Sequence, residues 1–180
     1  MKLNNIINLD EIDSTSDWLK GSYSNYSFGD TVVFAKKQRK GRGQYDRKWI
    51  SKEGGIYFSL LLYINFKQVS TQEIIISMSE HVQDYLFKNY KISLRIKPPN
   101  DLYFEDKKIM GVLIENSFLG NNLEYCIMGV GLNVNQIFLK EGSFLATSLR
   151  EILGISLDPI KLAKDILTSW EPNFSINKKI

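Results

Sequence analysis

Apolar and polar residues follow two rhythms along this chain, and the rhythms divide it into strands and helices. Thr31 to Ala35 is a run of β-formers that reads as a strand leading into a basic segment, 36–48. Ile56 to Ile64 carries β-formers on both faces, as a strand in the middle of a sheet does. Ile75, Met78, Val82 and Leu86 recur at helical spacing, and Ser70 with Glu73 just before them makes a capping box. Ile92, Leu94 and Ile96 alternate with Ser93, Arg95 and Lys97, which predicts another strand. Two hairpin units follow. The first joins Leu102–Phe104 to Ile109–Glu115 across the charged turn Glu105-Asp106-Lys107-Lys108; the second turns at Gly120-Asn121-Asn122 into Leu123–Gly131. Ser14, with Asp17 three residues later, opens a short helix. Asp158-Pro159 opens another, whose Ile160, Ala163, Ile166, Leu167 and Trp170 share one apolar face. Strands joined mostly by hairpins, with a few helices, predict an α+β fold: a mixed, mainly antiparallel sheet packed with helices. No internal repeat, low-complexity stretch or linker interrupts the chain, so one domain over 1–180 is expected.

Composition narrows the function classes. The 180 residues are 43% hydrophobic and 24% charged, a globular balance with enough chain for a core. No apolar run approaches the roughly 20 residues of a membrane span, and acids stand near the start where a signal peptide needs an apolar stretch. A cytoplasmic protein with no membrane partner is the expectation. Cys126 is the single cysteine; it lies in an apolar run and reads as a buried structural thiol. A formal net charge of +3 is too small to argue for nucleic acid by itself.

How the charge is distributed is more telling. Between Lys36 and Trp49 seven basic residues face one acid, and Gly41 and Gly43 bracket Arg42. Such a loop can turn sharply and present amides and guanidinium groups to phosphate. A solvated basic hairpin, or a nucleic-acid contact through Tyr45 and Trp49, fits the same composition. Arg95 to Tyr103 holds a Pro98-Pro99 pair that forces an extended exit, with Asn100 and Asp101 at the strand–loop boundary. Asp101 there suits a metal or a ribose hydroxyl, or is simply a turn former. Of the adjacent Lys107 and Lys108, one must point inward if the strand alternates, where it would stabilise developing charge; in water, either is an ordinary turn lysine. Gly129 and Gly131 lie within a strand and imply close approach by a ligand or by other backbone. His81 has no second histidine or cysteine near it and reads as structural.

Taken together these segments resemble the biotin–protein ligases. The resemblance rests on Ser14-Thr15, Gln38 with Gly41-Arg42-Gly43, and Trp49 six residues later. It continues through Gly54-Gly55-Ile56-Tyr57-Phe58-Ser59, Lys97 with Pro99-Asn100-Asp101-Leu102-Tyr103, Lys107-Lys108-Ile109-Met110-Gly111, and the run from Gly129 to Asn135. It implies an enzyme that joins biotin and ATP, with Mg2+, into biotinyl-5′-adenylate and then acylates a lysine of a biotin carboxyl carrier protein. By position, Ser14, Thr15, Ser16 and Gln38 are expected to meet the ureido ring of biotin. Gly41, Arg42, Gly43 and Gln44 are expected to form the loop over biotin and the adenylate, and Gly111, Gly129 and Gly131 the pocket floor. Lys108, with Arg42, is expected to carry the catalytic charge, and Arg42, Arg47, Trp49, Asn100, Asp101, Lys108 and Asn133 to face the nucleotide. No dedicated metal ligand is assigned, and either a monomer or a homodimer is compatible.

The chain departs from the family pattern in places. Gln44, Tyr45 and Asp46 stand where Arg, Arg and Gly are common, and Pro98 where tryptophan is usual. About a dozen residues precede Ser14, too few for the winged-helix domain of some members, and the small C-terminal β-barrel of many members is expected to be absent. A lipoate or octanoate transferase of the same fold is the nearest alternative, but its ArgxxGGG-type loop and histidine–aspartate pair are not found. A non-catalytic biotin-binding protein would sooner have lost Lys108 or Arg42, and a small RNA-binding domain would explain few of the motifs.

Overall fold

Strand β3 (Ile56–Leu62) is buried at every position, as its unbroken run of β-formers requires of a central strand. It lies inside a seven-stranded sheet in a computed structural model that describes residues 3–26, 31–45, 47–64, 66, 68–137, 145–174 and 176. The other strands are β1 (Asn5–Ile12), β2 (Thr31–Gln38), β4 (Arg95–Lys97), β5 (Asp101–Phe104), β6 (Lys107–Leu119) and β7 (Asn122–Leu132), in the order β1-β2-β3-β7-β6-β5-β4. Among these the β1–β2 pair is parallel and the rest are antiparallel, so the mixed, mainly antiparallel α+β reading holds. Asp46, one of the divergent loop positions, lies outside the described residues.

Alternation along the strands separates two layers. Phe58, Leu60 and Leu62 face the main core beneath α2 (Thr71–Tyr90) and α4 (Pro159–Ser169). Leu61, with Val33 and Ile127, faces the other way and packs on Leu19 of α1 (Thr15–Lys20). The helix starts follow the sequence signals. Ser14 Oγ accepts from the Asp17 amide, Ser70 and Glu73 form the reciprocal box, and Asp158 Oδ1 accepts from the Ile160 and Lys161 amides. A short α3 (Leu149–Leu153) is added, capped by Ser148.

Two expectations change. The strand expected from Ile92 begins at Arg95, because α2 ends on Lys91 in the left-handed conformation (φ 58°) and the Ile92 amide turns back to Leu86 O. Ile92 and Leu94 are instead buried in the main core. β1 went unrecognised in the sequence: its register alternates between partial and full exposure, so it has no apolar face strong enough to signal a strand.

Candidate active site

Register places the chemistry. Residues opposite one another in antiparallel strands share a face. One row across the sheet therefore reads Asp101, Gly111, Gly131, Tyr57, and the next reads Leu113, Gly129, Ser59, Val33. Both rows lie on the α1 side. The three glycines leave a trough between Asp101 at one edge and Ser59 at the other, in a cavity of about 270 Å³. All the expected site residues line this cavity except Gly41. A Cβ at Gly41 would lie 2.5 Å from Trp49 O and 2.6 Å from Ser51 Oγ, so its role is to let the loop backbone pass close.

At the Ser59 end, hydroxyl and amide groups form one connected wall. Thr15 Oγ1 lies 2.7 Å from Ser59 Oγ, and Ser16 Oγ lies 2.9 Å from the same oxygen. The Thr15 amide donates to Gln38 Oε1 (2.8 Å), Thr15 Oγ1 donates to it as well (3.1 Å), and Gln38 Nε2 donates to Ser51 Oγ (2.9 Å). This wall is neutral and rich in both donors and acceptors. A Cβ at Gly129 would stand 3.0 Å from Ser16 Oγ, which is the close approach the strand glycine permits.

The Asp101 end carries charge. Lys108 reaches the trough face because the β5–β6 ladder shifts register between Leu102 and Tyr103, where strict alternation from Gly111 would have brought Lys107 there instead; its Nζ lies 2.7 Å from Asp101 Oδ1. The ammonium takes up one lone pair of that carboxylate and leaves the others to a ligand. Trp49 lies across the floor: a Cβ at Gly131 would be 2.5 Å from its Cε2 and Nε1, and Lys108 Nζ is 5.2 Å from its ring centroid. Trp49 Nε1 is buried without a partner. An indole donor without a partner thus stands beside a carboxylate that has lone pairs to spare, a pattern that suits a polar ligand. Asn100 Nδ2 donates to Val112 O (2.9 Å) and Asn133 Nδ2 to Thr147 O (3.0 Å), so these amides position the frame around Asp101 and Lys108.

The basic segment folds into a tight hairpin over the trough. The Trp49 amide donates to Gly41 O (2.9 Å) and the Gly43 amide to Arg47 O (2.7 Å). The guanidinium of Arg42 is turned to the body of the protein. It meets Asp17 of α1 through Nη1 and both carboxylate oxygens of Glu115 through Nη2, at 3.2 and 3.1 Å. Its hydrogen bond holds the Asp17 carboxyl below the usual carboxylate range, and Asp17 in turn raises the Arg42 guanidinium.

The model of the biotin/lipoate A/B protein ligase family matches residues 9–133, which carry every lining residue of the trough except Leu145 and Ala146. The chain belongs to that family. The bifunctional ligase/repressor BirA of Bacillus spizizenii is 32% identical over 173 residues, 94% of this chain and 53% of its own. The chain thus spans about half the length of the curated relatives it matches. A biotin protein ligase from Aquifex aeolicus, solved with biotin and ATP, superposes with a TM-score of 0.79 at 38% identity, covering 92% of this chain and 68% of that one. A lipoate protein ligase from Thermoplasma acidophilum shares the fold alone, with a TM-score of 0.60 at 12% identity over 93% of this chain and 85% of its own.

Several members of the site carried no signal of their own. Ser59 in β3 and Ser51 in the loop before it are two of them, since a lone serine in either setting usually means nothing chemical. Leu145–Thr147 clasps the Lys108 backbone through Lys108 N to Leu145 O (2.9 Å) and Thr147 N to Lys108 O (3.0 Å). That long-range pairing has no local pattern. Among the described residues no group of three or more His, Cys, Asp or Glu is placed to hold a metal, and Asp101 is the one carboxylate lining the cavity. His81 Nε2 lies 2.9 Å from Ile166 O, and Cys126 is buried, its thiol pushed up to about 12 by burial.

Proposed function

We propose that this chain joins biotin to ATP as biotinyl-5′-adenylate and passes the biotinyl group to a lysine of a biotin carboxyl carrier protein. The observation that carries the reading is the polarity of the trough, which has a neutral donor–acceptor wall at one end and a lysine–aspartate pair at the other. The ureido group of biotin is uncharged and needs paired donors and acceptors, which Ser14, Thr15, Ser16 and Gln38 supply, with Ser59 behind them. Its valeryl chain then runs over Gly129 and along the Trp49 ring that covers Gly131 and Gly111, bringing the carboxylate to Lys108.

The carboxylate oxygen attacks the α-phosphorus of ATP and pyrophosphate leaves. That step gathers negative charge, and Lys108 offsets it by a preset position. Mg2+ enters with ATP as part of the substrate. Asp101 and Trp49 Nε1 offer an acceptor and a donor to the nucleotide, with Arg47 at the mouth and Asn100 and Asn133 fixing the frame. The hairpin from Gly41 to Gln44 covers the mixed anhydride against water. The carrier's lysine amine then attacks the acyl carbon, AMP leaves, and the amine loses its proton.

The test is pyrophosphate release with ATP and either biotin, lipoate or octanoate. Biotin-dependent release is expected, falling about 10²–10³-fold in Lys108→Ala. Release with lipoate or octanoate but not with biotin overturns the reading in favour of an ATP-dependent lipoate ligase of the same fold, and saturable biotin binding without release favours a non-catalytic binder.

A further inference from the structure

We infer that Asp17 and Glu115 are positioning residues that latch the Gly41–Trp49 hairpin shut by holding Arg42 from two sides, so that they set how long the reactive intermediate is retained. The inference rests on the proposed function for the identity of that intermediate, and on geometry alone for the latch.

Asp17 and Glu115 come from different elements. Asp17 lies in the first turn of α1, and Glu115 lies on β6, in the row beyond Gly129 on the trough side of the sheet. Arg42 is the hairpin's side chain that reaches both, with Nη1 on Asp17 and Nη2 on the two oxygens of Glu115. Lys20 closes the cluster, its Nζ 2.6 Å from Glu115 Oε1 and 3.6 Å from Asp17 Oδ1. Two acids and two bases leave the group neutral, so neither carboxylate carries excess charge toward an anionic ligand. Between Arg42 and Lys48 the hairpin's backbone is tied to itself and to its own ends, and Trp49, at its far end, is the hinge that packs on Gly131 and Lys108. An arginine with two acidic partners can be released without unfolding anything else, which is what a cover needs if it must open for each turnover. Arg42, Glu115 and Lys20 are about a quarter to a third exposed, so the latch is moderate in strength and sensitive to salt.

The experiment uses the full chain with Glu115→Gln, Asp17→Asn and, as a control, Lys20→Met, which removes a charge beside Glu115 without touching the hairpin. Two rates are read: trypsin cleavage after Arg47 and Lys48 in the free protein, and release of preformed biotinyl-adenylate. Glu115→Gln and Asp17→Asn are expected to raise both rates about three- to fivefold, while formation of the adenylate from bound substrates stays within about twofold. Lys20→Met is expected to stay within about twofold in both rates. In an Arg42→Gln background Glu115→Gln should add nothing further, because the contact is already gone. Unchanged cleavage and release in both acid variants overturns the latch, and so does a Lys20→Met effect equal to that of Glu115→Gln. If the wild-type chain makes no adenylate, the functional reading falls while the cleavage arm still decides the latch. Thermal unfolding of each variant separates hairpin opening from loss of fold.

Discussion

Ser59 gives a sharp test of how the neutral wall is built. Its Oγ is fully buried and lies 2.7 Å from Thr15 Oγ1 and 2.9 Å from Ser16 Oγ. Ser59→Ala removes both contacts and leaves the backbone of β3 untouched. Thr15 keeps Gln38 Oε1 as a partner, whereas Ser16 must turn toward the cavity for another. A typical hydrogen bond contributes about 1 kcal/mol net, and a buried hydroxyl left unpaired costs about 1–3 kcal/mol. The loss should therefore be about 2 kcal/mol, which for a chain of this size lowers Tm by roughly 4–8 °C. If the wall holds the ureido ring, biotin affinity should also weaken about tenfold, equivalent to about 1.4 kcal/mol, while the KM for ATP stays within about twofold. Calorimetric unfolding and biotin titration read the two effects separately. A variant with wild-type Tm and wild-type biotin affinity refutes the wall as drawn. A rise in the KM for ATP equal to the loss in biotin affinity refutes the assignment of its two ends.

The remaining predictions follow from single contacts. Gly131→Ala puts a methyl group 2.5 Å from the Trp49 ring, so Trp49 must lift. The cost is about 1–3 kcal/mol, with a red shift of tryptophan emission; unchanged emission and Tm would exclude the packing described. His81 is half-buried between α2 and α4, and burial holds its pKa below the usual value. As pH falls the unfolded chain binds the proton first, so stability is complete above about pH 6.5 and declines below it until the folded-state pKa is passed. His81→Gln should flatten that decline in urea unfolding between pH 7 and 5; an identical slope would rule His81 out as its source. Cys126, with its thiol pushed up to about 12, should resist a thiol reagent at pH 8 in the native chain and react fully in urea. Rapid native modification would contradict its burial.

Much of the fold could be read from the sequence because its determinants are local. The caps at Ser14, Ser70 and Asp158 are each a side chain reaching a backbone amide two or three residues away, and the hairpins follow from alternation and turn chemistry. β1 could not be read, since its partner β2 is reached through the helix and turn between them and its exposure pattern is that of an edge. The site divides in the same way. Gly129 and Gly131 announced a close approach, but not that Trp49 and Ser16 make it. Lys108 was expected to point inward, yet its pairing with Asp101 depends on a register shift in the β5–β6 ladder between Leu102 and Tyr103. The partners of Arg42 lie 25 and 73 residues away, and no spacing rule connects them.

The most direct measurement is the mass of a biotin carboxyl carrier domain after incubation with this chain, ATP, and equal concentrations of biotin and octanoate. A biotinyl adduct on one carrier lysine is expected, with AMP and pyrophosphate released in step and the adduct forming about 10²–10³-fold more slowly in Lys108→Ala. An octanoyl adduct, or a biotinyl adduct that persists undiminished in Lys108→Ala, would contradict it.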